Sequence, residues 1–181
     1  MKIVGIDYSK APVIRAFSKH KEMITMQEVT VKNDNILHIY TDGACLGNPG
    51  PGGWAFVMLF NGIRKESAGY APSPTTNNRM EMMAPISALN ALKKDRRYTI
   101  RLYSDSQYLI NGMNKWLANW KRKGWRGTRG PVKNRELWET LDALNRLHDI
   151  EWIWIRGHAS NEYNNFCDYL ANEQIRLNHP A

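Results

Sequence analysis

Four acids stand where acids are out of place or beside breaks in regular structure. Asp42 lies inside Ile36-Leu37-His38-Ile39-Tyr40-Thr41-Asp42-Gly43-Ala44-Cys45, which alternates apolar and polar residues at a period of two and reads as a strand. An acid within a strand is poor β-chemistry, and burying it unpaired costs several kcal/mol, so something must compensate its charge. Glu81 falls one turn into a helical pattern, Asp105 closes a later strand in Ser104-Asp105-Ser106, and Asp168 sits near the start of a last helix. Any one of them alone reads as readily as a cap or a surface charge. Together, hard oxygen donors gathered at one point suit Mg²⁺ or Mn²⁺, and not zinc, which favours His and Cys.

The elements that must position these acids follow a readable order. After the first strand, Leu46-Gly47-Asn48-Pro49-Gly50-Pro51-Gly52-Gly53 is a loop, residues 54–60 form an apolar strand, and Asn61-Gly62 is a strong hairpin signal. Residues 63–70 return as a third strand, which Pro72 and Pro74 end, and Thr75-Thr76-Asn77 offers caps for a helix over 78–94. Pro85 lacks the N–H that would bond the carbonyl of residue 81, which predicts a bend beside Glu81.

Residues 98–103 are a fourth strand, followed by a helix to about residue 118 and a basic, glycine-punctuated stretch, a short helix with an exposed loop, over 119–132. Asn134 is placed to cap a helix whose apolar positions are Leu137, Leu141, Leu144 and Leu147. Residues 151–155 form a fifth strand, Gly157-His158 opens a polar loop, and Asn164 or Asn165 starts the last helix. The order β-β-β-α-β-α-α-β-α implies an α/β fold, a mixed sheet with helices on its faces. Residues 1–35 read as an N-terminal extension of unassigned role, 36–176 as the functional domain and 177–181 as a tail.

Composition narrows the partner. The 181 residues, 43% hydrophobic, can bury one good core. Two cysteines, Cys45 and Cys167, make no disulfide framework, no apolar run is long enough for a membrane helix, and the first residues do not form a signal peptide. A cytoplasmic monomer is the expectation. Net charge is +8, and residues 106–135 carry all of the excess, with eight bases and no acid. A charge run is commonly a solvated face, but Trp116, Trp120 and Trp125 interleave with these bases, as on surfaces that neutralise phosphates while packing on sugars and bases. Trp138, Trp152 and Trp154 read as core or near-core packing.

The blocks Tyr40-Thr41-Asp42-Gly43-Ala44-Cys45, Thr76-Asn77-Asn78-Arg79-Met80-Glu81-Met82, Ser104-Asp105-Ser106-Gln107-Tyr108 and Gly157-His158-Ala159, with Asp168 ten residues beyond the histidine, resemble type 1 ribonuclease H of the bacterial kind. The resemblance implies a ribonuclease H-like fold with a five-stranded mixed sheet and cleavage of the RNA strand of RNA–DNA hybrids. By it, Asp42, Glu81, Asp105 and Asp168 hold two Mg²⁺ ions, with Mn²⁺ an alternative, and His158 shuttles a proton or assists product release. Alone, a histidine in a polar loop reads as a surface residue.

Asn48, Asn77, Asn78 and Gln107 are amides able to donate to and accept from a 2′-hydroxyl, and the resemblance places them against the hybrid's minor groove; their other reading is turn and cap chemistry. Thr76 and Asn119 match a pocket for a phosphate of the DNA strand. Trp116 and Trp120, with Lys121, Arg122 and Lys123, match the family's basic protrusion. A DNA-cutting nuclease of the same fold and a non-catalytic hybrid binder are the competing readings.

Overall fold

The alternation of the first strand becomes its two faces. β1 (Ile36–Cys45) buries Leu37, Ile39 and Thr41 on one side and turns His38, Tyr40 and Asp42 to the other. In the computed structural model, which describes residues 35–128, 130–157 and 161–179, β1 is the central strand. It pairs antiparallel with β2 (Gly50–Phe60) and parallel with β4 (Thr99–Ser104), while β3 (Ile63–Thr75) pairs with β2 at the edge. A separate short hairpin holds β5 (Arg126–Gly127) and β6 (Gly130–Pro131), and β7 (Asp149–Trp154) lies parallel to β4. The order β3-β2-β1-β4-β7 is the expected five-stranded mixed sheet.

The helices are α1 (Asn77–Asn90), α2 (Gln107–Asn111), α3 (Leu117–Arg122), α4 (Arg135–Asn145) and α5 (Glu162–Asn178). One core, centred on the fully buried Trp138 with Ile39, Phe56, Met82, Leu102 and Leu141, lies between the sheet and α1, α2 and α4. A smaller one, with Val57, Cys167 and Ala171, lies under α5 on the opposite face. Because both faces of β1 are covered there, residues 41–44 are buried in succession, and Asp42 is buried with them.

Gly43 sets how close α1 can come. A Cβ on it would stand 2.2 Å from the Met80 carbonyl carbon and 2.3 Å from the Glu81 nitrogen. The bare backbone at position 43 thus lets the first turn of α1 lie directly on the strand and brings Glu81 beside Asp42.

Several elements differ from the sequence reading for physical reasons. β3 continues through Pro72 and Pro74 to Thr75, since an edge strand tolerates residues without an N–H. The glycines after Pro51 are strand and not loop, for Gly52 and Gly53 pair with Cys45 and Ala44. α1 ends at Asn90, short of residue 94, and holds the buried Pro85 within it. The helix expected from residue 107 is interrupted by a π-helical turn, Gly112–Trp116. Asn134 does not cap α4 with its side chain but adopts a left-handed conformation, φ 56°. Leu147 lies beyond that helix and is exposed. Asn161, and not Asn164 or Asn165, caps α5, its Oδ1 accepting from the Asn164 N–H. Trp154 is 46% exposed and does not join the core, whereas Trp138 and Trp152 are buried. The expectations for residues 1–34 and for His158 lie outside the described residues.

Candidate active site

Each acid reaches the cleft from a different element and is held by a neutral donor. Asp42, 8% exposed on β1, accepts the Gly43 N–H on Oδ1 at 2.7 Å. Glu81, on α1, accepts the Asn77 amide on Oε1 at 2.7 Å and the Ser106 hydroxyl on Oε2. Asp105, just past β4, accepts the Asn164 amide on Oδ2 at 3.3 Å, and its carbonyl accepts the Trp154 indole N–H at 3.0 Å. Asp168, on α5, accepts the Asn172 amide on Oδ1 and on its carbonyl, both at 2.9 Å. Among the described residues none of the four has an ion-pair partner.

All four line one open cleft of about 630 Å³. Their proximity shows in Asp42, whose carboxyl is pushed from 3.8 up to about 8 by burial first, then by the charge of Asp105, with Asp168 and Glu81 adding to it and the Gly43 N–H opposing. Glu81 is raised by burial, against the Ser106 hydroxyl, with the Asp105 charge adding. Among the described residues no group of three or more His, Cys, Asp or Glu side chains is drawn together closely enough to hold a metal ion by itself. An open set of carboxylates is nonetheless how Mg²⁺ is commonly held, with water and substrate phosphate completing its octahedron.

A second cleft of about 510 Å³ gathers Asn78, Trp116, Asn119, Trp120 and Lys123 from distant positions in the chain. Trp116 stands 5.6 Å from Trp120, which stands 5.4 Å from Trp138, so the exposed Trp116 is backed by the core through the half-buried Trp120. Asn48 Oδ1 accepts the Asn77 N–H at 3.1 Å, which fixes those two amides relative to each other. Gln107 opens α2 directly after Asp105-Ser106 and is exposed.

The remaining candidates are engaged locally. Thr76 caps α1, accepting the Arg79 N–H at 3.4 Å, and Asn119 accepts from Arg122 at 2.9 Å. A second amide tied to the first turn of α1, besides Asn48, is Asn134, which accepts from the Arg79 guanidinium at 3.0 Å. Lys121 donates to both carboxylate oxygens of the buried Asp142, at 2.9 and 2.8 Å, and Arg146 pairs with the same group. Cys45 and Cys167 are both unbridged, their thiols donating to separate carbonyls.

Ser106, Asn134, Trp154, Asn164 and Asn172 are not read from the sequence as residues of the site: there Asn134 reads as a cap, Trp154 as core packing and Asn164 as a helix start. Only Asn164 and Asn172 left a usable signal, standing four residues to either side of Asp168 on one helix face.

Acids gathered where the parallel strands β1 and β4 run out on a mixed sheet, beside a basic cleft floored with indoles, define an acid-centred nuclease of the α/β class. The ribonuclease H family profile matches residues 19–176. The ribonuclease H of Caldanaerobacter subterraneus subsp. tengcongensis is 51% identical over 149 residues, covering 81% of this chain and 95% of the relative. Among solved structures, LC9-RNase H1, a type 1 ribonuclease H with the type 2 active-site motif, superposes with a TM-score of 0.70 at 31% identity, covering 77% of this chain and 71% of the other. LC11-RNase H1, solved in complex with an RNA/DNA hybrid, gives 0.63 at 25% identity, covering 78% of this chain and 97% of that one. The chain belongs to the ribonuclease H family.

Proposed function

We propose that this protein hydrolyses the RNA strand of RNA–DNA hybrids endonucleolytically, leaving 3′-hydroxyl and 5′-phosphate ends, with Mg²⁺ as its metal and Mn²⁺ as a substitute. The observation that carries this is the meeting of Asp42, Glu81, Asp105 and Asp168 in the lining of one cleft, with none of the four ion-paired among the described residues. An all-oxygen, mutually repelling set of this kind fits a hard divalent ion, and Asp42, Glu81, Asp105 and Asp168 would hold it. Bound there, a pair of such ions supplies an acidified water and relief of charge on the leaving oxygen.

The chain's own groups do the rest. Gly43, Asn77, Ser106, Asn164 and Asn172 aim the carboxylates with neutral donors, which orient each acid without cancelling its charge as Lys or Arg would. Asn48, Asn77, Asn78 and Gln107 border the acids as readers of 2′-hydroxyls, the group that separates RNA from DNA. Trp116, Trp120 and the bases Arg122 and Lys123 offer the paired DNA strand a stacking and charged surface. The ribonuclease H solved with a hybrid supports that substrate. His158 serves as proton shuttle or assists product release, a role suited to a side chain that titrates near neutrality. Residues 36–176 are the catalytic domain of a monomeric cytoplasmic enzyme; among the described residues no helix is long and apolar enough to cross a membrane.

A labelled RNA–DNA hybrid, duplex DNA and duplex RNA, each incubated with Mg²⁺ or with chelator, test this directly. Only the RNA of the hybrid is expected to be cut, and only with metal. Cutting of duplex DNA, or no cutting by folded protein, defeats the proposal.

A further inference from the structure

Asn164 is the least economical side chain in the wall of the cleft. It lies on the first turn of α5, is 1% exposed, and donates from Nδ2 to Asp105 Oδ2 at 3.3 Å. Its own carbonyl oxygen, Oδ1, is buried and finds no donor among the described residues. An orphaned buried acceptor is a net cost to folding, and an apolar side chain of the same shape would avoid it. Turning the amide over would not help, because the oxygen would then face the Asp105 carboxylate. The long bond to Asp105 is therefore what the fold retains at the expense of stability.

Asn164 and Asp168 are one turn apart on the same face of α5. We propose that Asn164 is a positioning residue that ties the Asp105 carboxylate, at the end of β4, to the helix carrying Asp168, and so fixes the spacing of two acids that arrive from different elements. Partners that orient ligating carboxylates are worth about 10- to 100-fold in metal affinity. This inference rests on the metal-site reading given under the proposed function.

The test pairs two variants with opposite structural consequences. Asn164→Leu removes the orphan oxygen and keeps the branched outline of the side chain at somewhat greater bulk; Asn164→Ala removes it and leaves a cavity. In chelator, the urea midpoint of the Leu variant is expected to equal or exceed wild type, and that of the Ala variant to fall. Calorimetric titration with Mn²⁺ alone is expected to show both losing affinity by about 10- to 100-fold. In turnover, the metal concentration for half-maximal rate rises while KM for hybrid holds.

Wild-type Mn²⁺ affinity in either variant overturns the positioning role, as does a Leu variant less stable than the Ala variant. Wild-type protein that takes up no Mn²⁺ overturns the metal-site reading itself, which keeps the two failures distinct.

Discussion

Replacing Asp42 by Asn separates the electrostatic argument from the catalytic one. The Asp42 carboxyl is displaced from 3.8 to about 8, chiefly by burial and by Asp105. An acid raised in the folded state contributes fully to stability below its unfolded value, and that contribution is lost as pH rises through the folded one. Roughly four decades of proton affinity at about 1.4 kcal/mol each mean that ionising Asp42 lowers folding stability at pH 9 by on the order of 5 kcal/mol relative to its value below about pH 4. An amide escapes that penalty and still accepts the Gly43 N–H. Urea unfolding in chelator should therefore find Asp42→Asn and wild type alike below about pH 4, with the variant's advantage growing steadily to pH 9. Added Mg²⁺ should narrow the gap by stabilising wild type alone, and the variant should bind hybrid without cutting it. Equal stabilities at pH 9 in chelator would refute the claim that burial and the neighbouring acids together disfavour an ionised Asp42.

Further outcomes test the surroundings. Lys121→Ala should cost about 1–2 kcal/mol of stability, because Lys121 is partly exposed and the buried Asp142 keeps Arg146; urea unfolding checks it. Arg122→Ala with Lys123→Ala should leave stability within about 0.5 kcal/mol. Together they should lower the slope of log affinity for hybrid against log salt by roughly 0.9 for each phosphate they cease to neutralise, measured by anisotropy. In Gly157→Ala the new Cβ would stand 2.4 Å from Asp105 Oδ2. Displacing that carboxylate should lower kcat by on the order of 100-fold, and unchanged kcat would show that Asp105 has room to yield.

What the sequence made legible is what local chemistry governs. The alternation around Asp42 marks β1 because side-chain period and strand geometry are the same fact. Asn61-Gly62 marks the hairpin because its backbone demands left-handed residues, and both have positive φ, 49° and 76°. The acids were legible as misfits, Asp42 above all.

Features that depend on a distant partner were not. Asn134 carries no sign in its own neighbourhood that its amide meets Arg79, 55 positions away. Trp154 shares its strand with the buried Trp152, yet at the strand's end its indole turns to a main-chain carbonyl 49 residues distant. Lys121 stands in a run of three bases where only the fold distinguishes a strut from a substrate-facing charge, through Asp142 on another helix.

The row of rings from Trp116 through Trp120 to Trp138 also has an optical consequence. Neighbouring indole centroids 5.6 and 5.4 Å apart exchange excitation readily, so light absorbed by the sealed ring is emitted in part by the one facing solvent. If a polynucleotide rests on Trp116 as proposed, it should change the emission of the whole set, which would give the protein an unlabelled fluorescent gauge of its own occupancy.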